Sequence, residues 1–292
     1  MKIFFLILFS FTILFSKVDI SLSHTSIKHG TTFAVILQSD SKLSHAPNVI
    51  FMNKTYQMFT IGGSTKKYEV FLPVNYHAKL QKENVQVKYK LDNKIIKKNI
   101  SINIIDGNYI KNEIITVPKG KVTLSKSNKN RTSKEYSEVF KKVYSIIDTK
   151  NYINNSFFSM PMNSKITSAF GNARIYNKKT KSYHTGTDFR AKVGTAIYAA
   201  NDGIIALTMH RFYLGKVVYI NHGRGSYTYY CHMDKIDVKE GNHVKKGDQI
   251  GTSGVTGRIT GPHLHYANRL YNVTVDPLQF ATLHNEILKK YH

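Results

Sequence analysis

The chain has 292 residues, enough for two modest domains, with 42 Lys+Arg against 18 Asp+Glu and a formal net charge of +24. That balance favours anionic partners: a nucleic acid, a cell-wall polymer or lipid head groups. Cys231 is the only cysteine, which excludes an intramolecular disulfide and leaves stability to the core.

Taken in chain order, Lys2 and the apolar run over residues 3–15 read as an export signal, placed at residues 1–18. The run is short for a membrane span, so a membrane contact is expected only if this segment stays uncleaved. An exported protein rarely meets nucleic acid, and none is expected as a partner. Residues 19–112 read as a small β-sandwich-like domain. Phe33-Ala34-Val35-Ile36-Leu37 is a compact apolar run, and Val85, Val87, Tyr89, Leu91 and then Ile100, Ile102, Ile104 alternate with polar residues. Residues 113–156 read as a linker holding a helix at about 133–148. Thr132 and Glu135 form a capping-box pattern there, and Tyr136, Val139, Phe140, Val143, Ile146 and Ile147 fall on one helical face. Residues 157–282 read as an antiparallel, mainly β domain, with β-leaning runs at 197–200, 216–220, 226–231, 243–244, 249–250 and 264–267 separated by turns. Residues 283–292 read as a tail.

The chemistry lies in the third region. His184 and Asp188 are spaced to share one side of a strand or loop. His263 and His265 share a strand face, roughly 7 Å apart. Two imidazoles and a carboxylate can hold a zinc ion and leave one position open for water, with a further histidine free to move protons. In the β-leaning run Thr228-Tyr229-Tyr230-Cys231-His232-Met233, strand alternation places Tyr230 on the face of His232. The same alternation turns Cys231 away, as a small buried filler rather than a nucleophile.

These residues sit in a longer pattern. It runs through Ser168-Ala169-Phe170-Gly171-Asn172-Ala173-Arg174, Tyr183-His184-Thr185-Gly186-Thr187-Asp188-Phe189, Val218-Tyr219-Ile220-Asn221-His222-Gly223, Val244-Lys245-Lys246-Gly247-Asp248 and Thr260-Gly261-Pro262-His263-Leu264-His265. In this order the blocks resemble the LytM or lysostaphin-like zinc metallopeptidases, the M23 family, in the Gram-negative branch that carries an N-terminal β domain. The resemblance implies one zinc per chain on His184, Asp188 and His265, with His232 and His263 as catalytic histidines. It implies a periplasmic peptidoglycan hydrolase that cuts stem peptides, as a D,D-endopeptidase, a D,D-carboxypeptidase or both, with a role in wall remodelling and cell shape. It also suggests that the N-terminal domain covers the groove. Tyr230, Arg174 and Arg258 are candidates for holding a substrate carboxylate; His222 reads as structural. The alternative is a non-enzymatic peptidoglycan-binding regulator of another hydrolase.

Overall fold

The computed structural model describes residues 17–91, 93–153 and 156–291. The expected export signal lies mostly outside the described residues, although Val18 already opens the first strand. Two sheets form the N-terminal region. The first runs in the order Val18–Leu22, Thr32–Ser39, Lys67–Pro73, Phe59–Thr60. The second runs Ser26–Lys28, Lys94–Ile105, Lys82–Leu91, Asn48–Phe51, Lys54–Gln57. Period-two burial puts Val85, Val87 and Tyr89 into one core with Phe33, Val35 and Leu37. The rings of Phe33 and Phe51 meet edge to face at 5.3 Å.

The linker contributes a strand of its own. Glu113–Ile115 pairs in parallel with Ala173–Tyr176, which pairs with Thr180–Tyr183. Helix α1 spans Lys126–Val139 and starts earlier than the capping-box pattern suggests. Its cap is Ser125, whose hydroxyl accepts from the Asn128 amide at 3.2 Å. Thr132 and Glu135 lie inside the helix, where Glu135 accepts from Arg131 at 2.7 Å and from the Phe212 amide. One wider π turn, Phe140–Tyr144, follows. The helical run ends there at Tyr144, short of the expected 148, so Ile146 and Ile147 lie beyond it. Val139 and Val143 of the expected face are buried, with Tyr144, while Tyr136, Phe140, Ile146 and Ile147 stay exposed.

The C-terminal region is a ten-stranded sheet. Its main path runs Ile166–Ser168, Thr187–Arg190, His263–Leu270, Ser226–Ile236, Gly215–Gly223, Gly203–Arg211, His243–Val244. The expected β runs coincide with these strands or with Ala196–Tyr198 and Gln249–Ser253 beside them. Residues 283–291, expected to be a tail, complete helix α2, Pro277–Tyr291. Leu283 and Ile287, one turn apart, pack on Ala34, Ile36 and Ile61. Strand Thr32–Ser39 is therefore covered on both faces, which explains its unbroken apolar run. Gln279 ties the two regions further: its Oε1 accepts from the Thr32 amide at 2.9 Å and hydroxyl at 2.7 Å, and its Nε2 donates to the Thr32 carbonyl at 2.9 Å. Tyr56 meets Tyr271 edge to face, as Phe71 meets Phe280. Among the described residues no helix is long and apolar enough to cross a membrane.

Candidate metal centre

Strand pairing builds the centre. Asp188 lies directly opposite His265 in the antiparallel pairing of Thr187–Arg190 with His263–Leu270, so both side chains leave the same face. His184 comes from the loop just before the first of these strands. Gly186 lets that loop close over the sheet, because a Cβ there would stand 2.4 Å from the Tyr266 carbonyl and 2.8 Å from the His265 ring.

Three ligand atoms converge. His184 Nε2 is 2.9 Å from Asp188 Oδ1 and 3.0 Å from His265 Nδ1, and the last two are 2.9 Å apart. All three residues are buried. The donor chemistry fits a metal ion. His184 Nδ1 lies 2.7 Å from the Ala169 carbonyl, which can only accept, so in the neutral ring Nδ1 carries the proton. Nε2 then presents a lone pair to a carboxylate oxygen, an opposition that a shared cation resolves. Burial opposes the charge on Asp188, but His184 and His265 outweigh it and hold the carboxyl well below the usual range. Burial pulls His265 down to about 4 despite its bond to Asp188, keeping the ring neutral and able to ligate.

Two more histidines face the centre. The His232 ring centroid is 4.8 Å from that of His263 and 6.0 Å from that of His265. His232 Nδ1 donates to the Thr256 carbonyl and His263 Nδ1 to the Gly261 carbonyl, each at 2.8 Å. In both neutral rings Nε2 is left with its lone pair, able to take a proton. Burial and the neighbouring imidazoles of His263 and His265 drive His232 well below the usual histidine value. A cavity of about 190 Å³ opens here, lined by all five of these residues together with Arg174, Tyr183, Tyr213 and Arg258. Tyr183 of this lining stacks on Tyr76 of the N-terminal region, ring centroids 3.9 Å apart.

The three candidates for a substrate carboxylate fare differently. Arg258 lines the cavity, its guanidinium 3.9 Å from the Tyr176 ring centre and 4.5 Å from that of Tyr213. Arg174 is spent on the protein's own carboxylates: Nη2 donates to Asp188 Oδ2 at 2.7 Å and Nε to Glu113 Oε2 at 3.1 Å. Tyr230 is turned to the opposite face of the sheet. It is fully buried, 5.3 Å from the Tyr266 ring, and its hydroxyl accepts from the Ala200 amide at 2.8 Å. The expectation that Tyr230 shares a face with His232 fails because His232 has a φ of 62°, which breaks the alternation. Cys231 is buried as expected, though opposite His265 and on its face. His222 is also buried, bonded to the Asp202 carbonyl and the Thr228 hydroxyl, as its structural reading anticipates.

Sequence reading missed the groups that orient the ligands and the two further histidines. The carbonyls of Ala169, Thr256 and Gly261 leave no sequence signal, since any residue supplies one. Ser168 and Glu113 join them: the Ser168 hydroxyl receives Arg174 Nη2 at 2.9 Å and lies 3.3 Å from both His184 Nδ1 and the Glu113 carboxylate. Ser168 stands in one of the family-like blocks, but Glu113 stands in a linker with no chemical pattern around it.

Residues 182–277 match the family model described as Peptidase family M23. The peptidoglycan DD-endopeptidase ShyA of Vibrio cholerae is 43% identical over 117 residues, 39% of this chain and 27% of that protein. The DD-carboxypeptidase/endopeptidase Mpg of Neisseria meningitidis is 39% identical over 118 residues, 40% of this chain and 27% of that protein. The chain thus spans little more than a quarter of the length of these relatives. A Pseudomonas aeruginosa crystal structure described as a peptidase M23 shares the fold at a TM-score of 0.62 and 22% identity, over 86% of this chain and 93% of that one.

Proposed function

We propose that this chain, which carries a peptidase domain of the M23 family, is a zinc-dependent peptidoglycan hydrolase acting on stem peptides. The observation that carries this reading is the buried triangle of His184 Nε2, Asp188 Oδ1 and His265 Nδ1, faced by His232 and His263 inside one cavity. Two nitrogens and one oxygen form a ligand set suited to zinc with a position left for water. Bound there, zinc would supply Lewis acidity, making water a usable nucleophile near neutral pH and polarising the scissile carbonyl.

The protein's own groups do the rest. His232 and His263 each turn Nε2 toward the cavity: one, neutral, takes the proton of the attacking water and passes it to the leaving amine, and the other, as imidazolium, stabilises the developing oxyanion. The carbonyls of Thr256 and Gly261 hold the Nδ1–H of each ring, so that proton transfer takes place at Nε2. Arg258, which lines the same cavity, is the group that would receive a carboxylate of the stem peptide. The named activities of ShyA and Mpg support D,D-endopeptidase and D,D-carboxypeptidase action as the two bond choices. A periplasmic location, and a role in wall remodelling and cell shape, follow from that substrate and from the expected export signal.

Mass spectrometry of muropeptides incubated with the zinc-loaded protein tests this, with His265→Ala as control. Loss of cross-linked dimers establishes endopeptidase action, and conversion of pentapeptides to tetrapeptides establishes carboxypeptidase action. Neither product from a folded, zinc-loaded protein rejects the hydrolase and favours the regulator.

A further inference from the structure

One charged side chain at the centre is neither a metal ligand nor a catalytic histidine. Arg174 is nearly buried, with 12% of its side chain exposed, and is held between Asp188 Oδ2 at 2.7 Å and Glu113 Oε2 at 3.1 Å. The same guanidinium donates to the Ser168 hydroxyl, which also lies 3.3 Å from His184 Nδ1. Two of the three ligand residues are thus braced through one hub, and its outer anchor is Glu113. Glu113 lies outside residues 182–277, where the family model matches. It reaches the hub because Glu113 pairs directly with Arg174 in the parallel ladder of Glu113–Ile115 and Ala173–Tyr176. Asn177 locks that ladder: its Oδ1 accepts from the Val117 amide and its Nδ2 donates to the Val117 carbonyl, both at 2.8 Å. The Asn177 amide also donates to the Ile115 carbonyl at 2.9 Å.

We propose that Glu113 and Arg174 are positioning residues that set the affinity of the centre for zinc, so that the seating of the linker strand Glu113–Ile115 controls how tightly the metal is held. The inference rests on the metal-binding reading of His184, Asp188 and His265. Asp188 can direct Oδ1 at a metal only while Oδ2 is held, and Arg174 holds it. Glu113 pins the guanidinium and offsets its charge. Without Glu113 the full positive charge acts on Asp188 and draws electron density from the ligand oxygen, and the clamp loses its fixed end. Both effects weaken metal binding. Groups that orient a metal's ligands typically change affinity by about 10–100-fold when removed. Loosening the strand at Asn177 acts on the same hub without touching a ligand or its partners.

The test is the zinc dissociation constant of the full chain, by competition with a chromophoric chelator, for wild type, Glu113→Gln, Arg174→Gln and Asn177→Ala, with metal-free melting temperatures measured beside it. We expect Arg174→Gln to weaken zinc binding by about 10–100-fold and Glu113→Gln by about tenfold, with a smaller loss for Asn177→Ala. Restoring the carboxylate one methylene shorter, as Glu113→Asp, should recover part of the loss. Metal-free melting of Glu113→Gln and Asn177→Ala should stay near wild type, which separates positioning from a general loss of fold. Wild-type affinity in Glu113→Gln and Asn177→Ala overturns the proposal, whatever Arg174→Gln does. Weakened zinc binding in these variants, beside a wild type that binds zinc but cleaves no muropeptide, would support the coupling and reject the hydrolase reading. A wild type that binds no zinc rejects both.

Discussion

His232 and His263 come together because His232 leaves the strand conformation: its φ is 62°, and its ring centroid lies 4.8 Å from that of His263. In the surrounding ladder Cys231 opposes His265 and Tyr230 opposes Tyr266. Regular alternation would therefore send His232 to the core side with Tyr230. The left-handed residue, with its amide donating to the Leu214 carbonyl at 2.8 Å, turns the imidazole into the cavity instead. A β-carbon in that conformation costs roughly 1–2 kcal/mol, which the surrounding bonds offset.

His232→Ala should lower muropeptide turnover by about 10²–10⁴-fold while zinc content stays at wild-type level. His232→Gly should be just as inactive but more stable than His232→Ala by about 1 kcal/mol, since glycine adopts positive φ freely. Urea unfolding of the pair checks this; equal stability would mean that the left-handed conformation carries no cost here.

Asp188→Asn should strip the metal. The amide loses the negative charge that His184, His265 and Arg174 surround, and its NH₂ group must face either a lone pair or a guanidinium. Zinc retained after dialysis against a micromolar chelator should fall from one per chain to a small fraction. Full retention would remove Asp188 from the ligand set.

Cys231→Ala should leave activity intact. The thiol is buried, and burial pushes its pKa up, so it is neither accessible nor ionised at neutral pH. The cost should be confined to stability, about 1 kcal/mol for the lost packing. Abolished turnover with normal zinc content would reopen a nucleophilic role.

His222 should make stability depend on pH. Burial lowers its pKa from 6.5 to about 4 in the folded chain. Between these values the unfolded chain binds more protons, so this stability is fully present above about 6.5 and is lost as pH falls towards 4. The span corresponds to about 3 kcal/mol. Metal-free His222→Gln should accordingly lose less stability than wild type between pH 7 and pH 4.5 in urea unfolding. Parallel losses would show that His222 is not the titrating group.

The candidates for the cluster and most of the strands were legible in the amino-acid order. Spacings of two and four mark His263, His265, His184 and Asp188 as candidates, the resemblance chose among them, and alternation or glycine-rich turns mark the strands, because these signals arise within a few residues of one another. The remainder depended on segments that meet only in the folded chain. The linker helix ended in a π turn at Tyr144, and α2 gained its partner from strand Thr32–Ser39. One positive φ at His232 reversed the directions expected for His232 and Tyr230. Arg174 meets Glu113 because two strands remote in sequence lie side by side, and it meets Asp188 across to a strand of another sheet. Long-range pairing chooses which charges meet, and a charge that finds a buried partner within the protein is no longer available to a substrate.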